Sequence, residues 1–134
     1  TFANVNNNEK IQNKGLFIRN ILKRYRVFAE VIIAPFIDNH QPTYNSQMIW
    51  DTSMEGQPPI TDPEIIEKTT HYMRIADEIR AHSSSSMITV ISLPKSFDQK
   101  NGNIAIRWLN LLSSLPHSVL FVRNNGTPAL SWQV

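Results

Sequence analysis

The sequence predicts an α/β domain: a mostly parallel sheet with helices packed on it, finished by an antiparallel hairpin strand at the C-terminus. Three observations carry that prediction. Two runs rich in β-branched residues and nearly all apolar, "VFAEVIIA" at 27–34 and "MITVISL" at 87–93, read as strands covered on both faces of a parallel sheet. Between and after them, apolar residues recur at three- and four-residue spacing, the period of helices with one buried face. Asn124-Asn125-Gly126 then separates two short apolar runs, as a tight hairpin turn would. The expected order is β, α, β, long loop, α, β, α, β, β, with parallel strands joined by right-handed crossovers.

With 134 residues, 41% hydrophobic and 18% charged, residues 1–134 are expected to form a single globular domain with its own core. A net charge of +2 is too small to mark a polyanion as the main partner, so nucleic acid is not expected. Cysteine is absent, which removes disulfides, thiolate metal sites and thiol nucleophiles and favours a reducing compartment. No apolar run approaches the ~20 residues that cross a bilayer, and the first residues lack the charged-then-apolar profile of a signal peptide. The segment itself is expected to be soluble. It begins without Met inside a strand-like pattern, as a piece of a longer polypeptide would.

Each element has a local reason. Residues 2–5 are a short strand candidate, and Asn6, Asn7 and Asn8 offer side-chain oxygens to cap a helix. In that helix Ile11, Phe17, Ile18, Ile21, Leu22 and Tyr25 recur at three- and four-residue intervals, and Leu16 is the least regular member. Lys23, Arg24 and Arg26 crowd its end, where the negative pole of the helix favours cations. The strand at 27–34 stops at Pro35. Residues 35–59, with Pro35, Pro42, Pro58 and Pro59 among polar residues, read as a long flexible loop with Ile49-Trp50 as an anchor point. Thr61 can cap a second helix, with Pro63 in its first turn and Glu64 reciprocating. Ile65, Thr69, Tyr72, Ala76 and Ile79 form its inner face, and "HSSSS" at 82–86 is its polar exit. After the strand at 87–93 and a polar loop, Ile104, Ala105, Trp108, Leu111, Leu112 and Leu115 mark a third helix, stopped by Pro116. Residues 119–122 and 129–134 are the hairpin strands.

The chain offers little reactive chemistry. Its four glycines, at 15, 56, 102 and 126, form neither nucleotide-binding fingerprint. No G-x-S-x-G elbow surrounds the candidate nucleophiles Ser92 and Ser96. Of His40, His71, His82 and His117, only His71 and His82 share a helix face, and eleven residues separate them by about 16 Å of rise, too far for one metal ion. Glu64, Glu67, Asp77 and Glu78 have basic neighbours at helical spacing, such as Glu64 with Lys68 and Arg74 with Glu78, so an ion-paired solvated face accounts for them. Lys23-Arg24-Tyr25-Arg26 suits either the helix pole or anionic headgroups or a partner. Trp108 belongs in the core. No catalytic, cofactor or metal residue is expected.

From Ile60 onward the chain resembles the cytoplasmic C-terminal domain of cation-chloride cotransporters, closest to the sodium-(potassium)-chloride branch. Four stretches in order carry the resemblance: "ITDPEI" (60–65), "RIADEI" with "HSSS" (74–79 and 82–85), "ITVISLP" (88–94) and "WLNLLSSLPHSVLFVRNN" (108–125). Upstream, "FANV", a helix ending in "LKRYRVFAEVIIAP" and a variable insert are similar in order alone. The chain ends in Ser131-Trp132-Gln133-Val134, where the family commonly has an aromatic-hydroxyl pair. The resemblance implies a non-catalytic regulatory and dimerising unit, similar in architecture to universal stress proteins and forming the C-terminal half of a larger cytosolic domain. It would sit at the cytosolic face of the cell membrane, pair with its twin and act on the transmembrane domain of the same polypeptide, which carries the sodium, potassium and chloride symport. Asn125-Gly126-Thr127, formally a glycan acceptor, would then never be modified. The competing expectation is a free-standing stress-protein-like module that binds a small ligand or nucleotide.

Overall fold

Helices dominate the computed structural model, which describes residues 2–32, 40–93 and 102–123. In chain order these are α1 (Phe2–Arg24), α2 (Tyr44–Ser53), α3 (Pro63–Ser83), β1 (Ile88–Leu93), α4 (Gly102–Leu112) and β2 (Ser118–Arg123). Packing divides the chain into two units, Thr1–Asn39 and His40–Val134.

In the first unit the described residues are α1 and the segment to residue 32, which has no regular secondary structure. The strand expected at 2–5 is instead the first turn of α1. Phe2 and Val5 stand three apart, a spacing that places both on one face of a helix and on opposite faces of a strand, and four residues are too few to establish either period. Helix α1 ends in a Schellman motif: Val27 N–H donates to the Leu22 carbonyl at 2.8 Å and Arg26 N–H to that of Lys23 at 3.1 Å. Arg26 takes the left-handed conformation there, with φ 56°. The strand expected at 27–34 is not formed by residues 27–32, and residues 33 and 34 lie outside the described ones. An apolar run specifies burial, whereas a strand also needs a pairing partner; here Arg19 Nη2 donates to the Val31 carbonyl at 3.2 Å and ties the segment to the helix.

The second unit holds the α/β part. β1 and β2 pair in parallel, with Ile88 opposite Ser118 and Leu93 opposite Arg123, and α4 lies between them in sequence. The parallel pair and its helical covering agree with the expected class. Two strands form the sheet among the described residues, and the expected terminal hairpin strand at 129–134 lies outside them. β1 is covered on one face only: Thr89, Ile91 and Leu93 turn inward, while Ile88, Val90 and Ser92 are exposed. The expectation of burial on both faces therefore fails within this unit.

Residues 35–59, expected as loop, contain α2. Thr43 caps it by accepting from Ser46 N–H at 3.4 Å, and Trp50 fixes it to the core. Its ten residues, with exposed apolar and polar side chains mixed, give too short a period to read. In α3 the cap is Asp62 rather than Thr61, since the Asp62 carboxylate accepts from Glu64 N–H at 3.0 Å and leaves Pro63 at the first helical position.

Trp50, Met73, Ala76, Ala105, Trp108, Leu111 and Leu112 are buried together, and Ile91 and Phe121 bring the inner face of the sheet against them. Burying side chains the size of Met73, Leu111 and Leu112 contributes about 1.5–3 kcal/mol each. Trp108 is 1% exposed, and its indole N–H donates to Thr69 Oγ1 at 3.0 Å. Thr69 passes the chain on by donating to the Ile65 carbonyl at 2.7 Å, so neither buried polar group lacks a partner.

Candidate functional site

The most developed polar arrangement joins the start of α2 to the second half of α3. Ser46 is fully buried one turn into α2, and Asp77 stands on α3 where it reaches both Ser46 and the cap residue Thr43. Thr43 donates to Asp77 twice, from its N–H at 2.8 Å and its hydroxyl at 2.5 Å. Ser46 donates to Asp77 Oδ1 at 2.6 Å, with the Met73 carbonyl at 3.3 Å as the longer alternative for its one proton. Arg80 completes the group, pairing with Asp77 at 2.8 Å and donating to Ser46 Oγ. Burial alone would raise the Asp77 carboxyl, but the hydrogen bonds from Ser46, Thr43 and Arg80 outweigh it and hold it below the usual carboxylate range. Asp77 was expected on a solvated, ion-paired face. It is instead a clasp between helices, a role that spacing along one helix cannot reveal.

Beside this clasp, α2, residues 57–60 and α3 line an open cavity of about 340 Å³. Trp50, Met54, Ile60 and Met73 line it, as do Gln47 and Asp51, which are bonded to each other at 3.1 Å. Such a lining suits an apolar side chain or small apolar group, since it offers adaptable thioethers and few polar partners.

A second cavity of about 340 Å³ lies between α3 and the carboxyl end of β1. His71 and Tyr72 from α3 and Ser92 and Leu93 from β1 line it, so the structure brings together two residues singled out by the sequence, His71 and Ser92. Carboxyl ends of parallel strands are where α/β folds receive ligands. Burial pushes the Tyr72 phenol up, against the opposing pull of Lys68. Its ring lies tilted by 35° against that of Trp108, with centroids 4.9 Å apart.

The remaining sequence candidates are dispersed. His40 carries the carbonyl that accepts from Arg74 Nε at 2.6 Å, so Arg74 does not serve Glu78 as the spacing predicted. His82 pairs with Glu78 at 3.3 Å, and Lys68 with Glu64 at 3.2 Å as expected. Ser96 lies outside the described residues. His117 Nε2 and Thr89 Oγ1 are hydrogen-bonded at 2.6 Å, which sequence reasoning missed because the two are 28 residues apart and meet only once the strands pair in register. A hydroxyl-histidine relay needs an acid on the other ring nitrogen. His117 Nδ1 is buried without a hydrogen-bond partner among the described residues. Among those residues there is also no group of three or more side chains able to hold a metal ion, and no helix long and apolar enough to cross a membrane.

No known protein family, curated protein or solved structure matches this chain.

Proposed function

We propose that this chain is a non-catalytic regulatory and dimerising part of the cytosolic domain of an electroneutral cation-chloride cotransporter, nearest the sodium-(potassium)-chloride branch. The observation that carries the reading is an alignment of motif with element. "ITDPEI" opens α3, "RIADEI" with "HSSS" forms its end, "ITVISLP" begins with the whole of β1, and "WLNLLSSLPHSVLFVRNN" runs from α4 through the connecting turn into β2. Four motifs thus fall on consecutive elements of one packed unit, each starting or ending near an element boundary. On this reading the parallel β1–β2 pair and its helical cover belong to a stress-protein-like fold.

An assembling role is supported by the outer face of the sheet. Ile88, Val90, Leu120 and Val122 are between 44% and 59% exposed, although parallel sheets are ordinarily covered on both faces. Deleting residues 60–123 from the full-length polypeptide should abolish dimerisation or surface delivery and lower chloride-coupled flux. Unaltered assembly and flux would remove the reading.

The cavity bearing His71, Tyr72 and Ser92 favours a second reading, a small-ligand or nucleotide module. Titration calorimetry with ATP and ADP tests it: saturable heat would support it, and no heat at millimolar nucleotide would dispose of it.

A further inference from the structure

We propose that the end of α1, together with residues 27–32, is a docking surface for an anionic lipid bilayer. The proposal stands on these residues alone and goes beyond the cotransporter reading. Between Glu9 and Glu30 the chain has no carboxylate, while it carries Lys10, Lys14, Arg19, Lys23, Arg24 and Arg26. Lys23, Arg24 and Arg26 are exposed and form no ion pair among the described residues. The carboxyl pole of a helix accounts for Lys23 and Arg24, which sit in its last turn. It does not account for Arg26, which lies beyond the helix.

Arg26 also holds a backbone conformation that costs any residue with a Cβ, φ 56° at the position of a Schellman motif where glycine is the usual occupant. An arginine kept at a strained site points to a use for its charge. Apolar side chains flank the cations: Val27 is 50% exposed and Phe28 fully exposed, with Ile32 at 51% on the same segment. The Arg19 bond to the Val31 carbonyl holds that segment to the helix bearing the charges. Cations beside an aromatic ring and aliphatic side chains match the headgroup region of a bilayer, where phosphates meet the acyl boundary. A polyanion such as RNA would satisfy the cations but leave Val27 and Ile32 in water.

The test is sedimentation of the 134-residue chain with vesicles of phosphatidylcholine alone and with about one third phosphatidylserine. Binding is expected to the anionic vesicles only and to weaken as salt is raised. The triple variant Lys23→Gln, Arg24→Gln, Arg26→Gly should lose on the order of a hundredfold in partitioning. Glycine suits the left-handed position, so this variant keeps the helix end, and circular dichroism verifies that. Phe28→Ser should lose roughly tenfold, because only a bilayer receives the ring. Equal binding to phosphatidylcholine, or an unaffected triple variant, would overturn the proposal. So would full binding by Phe28→Ser combined with displacement by single-stranded RNA, which would make the surface a polyanion site.

Discussion

Helices α1 and α3 are nearly equal in length, 23 and 21 residues, yet they reach stability by different means. α3 meets most of its demands within its own unit. Asp62 caps it, Thr69, Met73 and Ala76 are buried, and its polar side chains pair as Glu64 with Lys68, Asp77 with Arg80 and Glu78 with His82, Arg80 Nη1 alone among the described α3 side chains being buried without a hydrogen-bond partner. α1 leaves its demands open: Leu16, Phe17 and Ile18 are 53%, 65% and 47% exposed, and its cations are unmatched by carboxylates over twenty residues of sequence. A helix whose pairs close upon themselves is a structural part. One whose apolar and basic groups remain outward has chemistry left for another surface.

The contrast can be broken first at the core that α3 serves. Trp108→Ala should destabilise the second unit by about 3–5 kcal/mol, a large share of the ~5–15 kcal/mol typical of a domain, as read from urea unfolding. Next is the clasp. Asp77→Ala leaves the Ser46 and Thr43 donors and the Arg80 cation without their acceptor and should cost about 2–4 kcal/mol in the same measurement.

The pH dependence sharpens the clasp further. Because the folded Asp77 carboxyl titrates below its unfolded value, the unfolded chain takes up the proton first as pH falls. Its stabilisation is therefore fully present above the ordinary carboxylate pKa of about 4 and is lost as pH drops through the lower folded value. Asp77→Asn should flatten that acid limb of the unfolding curve, and an unchanged limb would assign it to other carboxylates.

Smaller effects fall at the open helix and on the exposed face of the closed one. Arg26→Gly should stabilise the first unit by up to about 1 kcal/mol, visible as a rise in the melting of helical dichroism. Lys68→Ala, which removes an exposed pair, should change stability by no more than about 0.5 kcal/mol. A larger loss there would mean that α3 is less self-sufficient than its geometry indicates.

The readable part of the sequence was the part governed by one period or one stop signal. α3, β1, α4 and β2 have long apolar repeats or β-branched runs ended by proline or a polar exit, and they stand close to where those signals put them. α2 was hidden because its evidence is tertiary: Trp50 needs the core and Thr43 needs Asp77, 34 residues away. Residues 27–32 misled for the complementary reason. Their composition is that of a strand, but pairing is a property of two segments, and composition records only one. The Ser46–Asp77 bond and the Thr89–His117 bond join distant positions in the same way, so searches for local motifs passed over both.

The aromatic residues give the two units separate optical signatures. Trp50 and Trp108 are both buried in the second unit, Trp108 with the Tyr72 ring 4.9 Å away, whereas residues 1–39 contain no tryptophan. With Trp132 replaced by phenylalanine, indole emission therefore reports the melting of the α/β part with no contribution from α1, while far-ultraviolet dichroism sums the helices of both. Superimposable curves from the two probes would mean one cooperative transition; a dichroic loss preceding the emission shift would mean that α1 has a transition of its own.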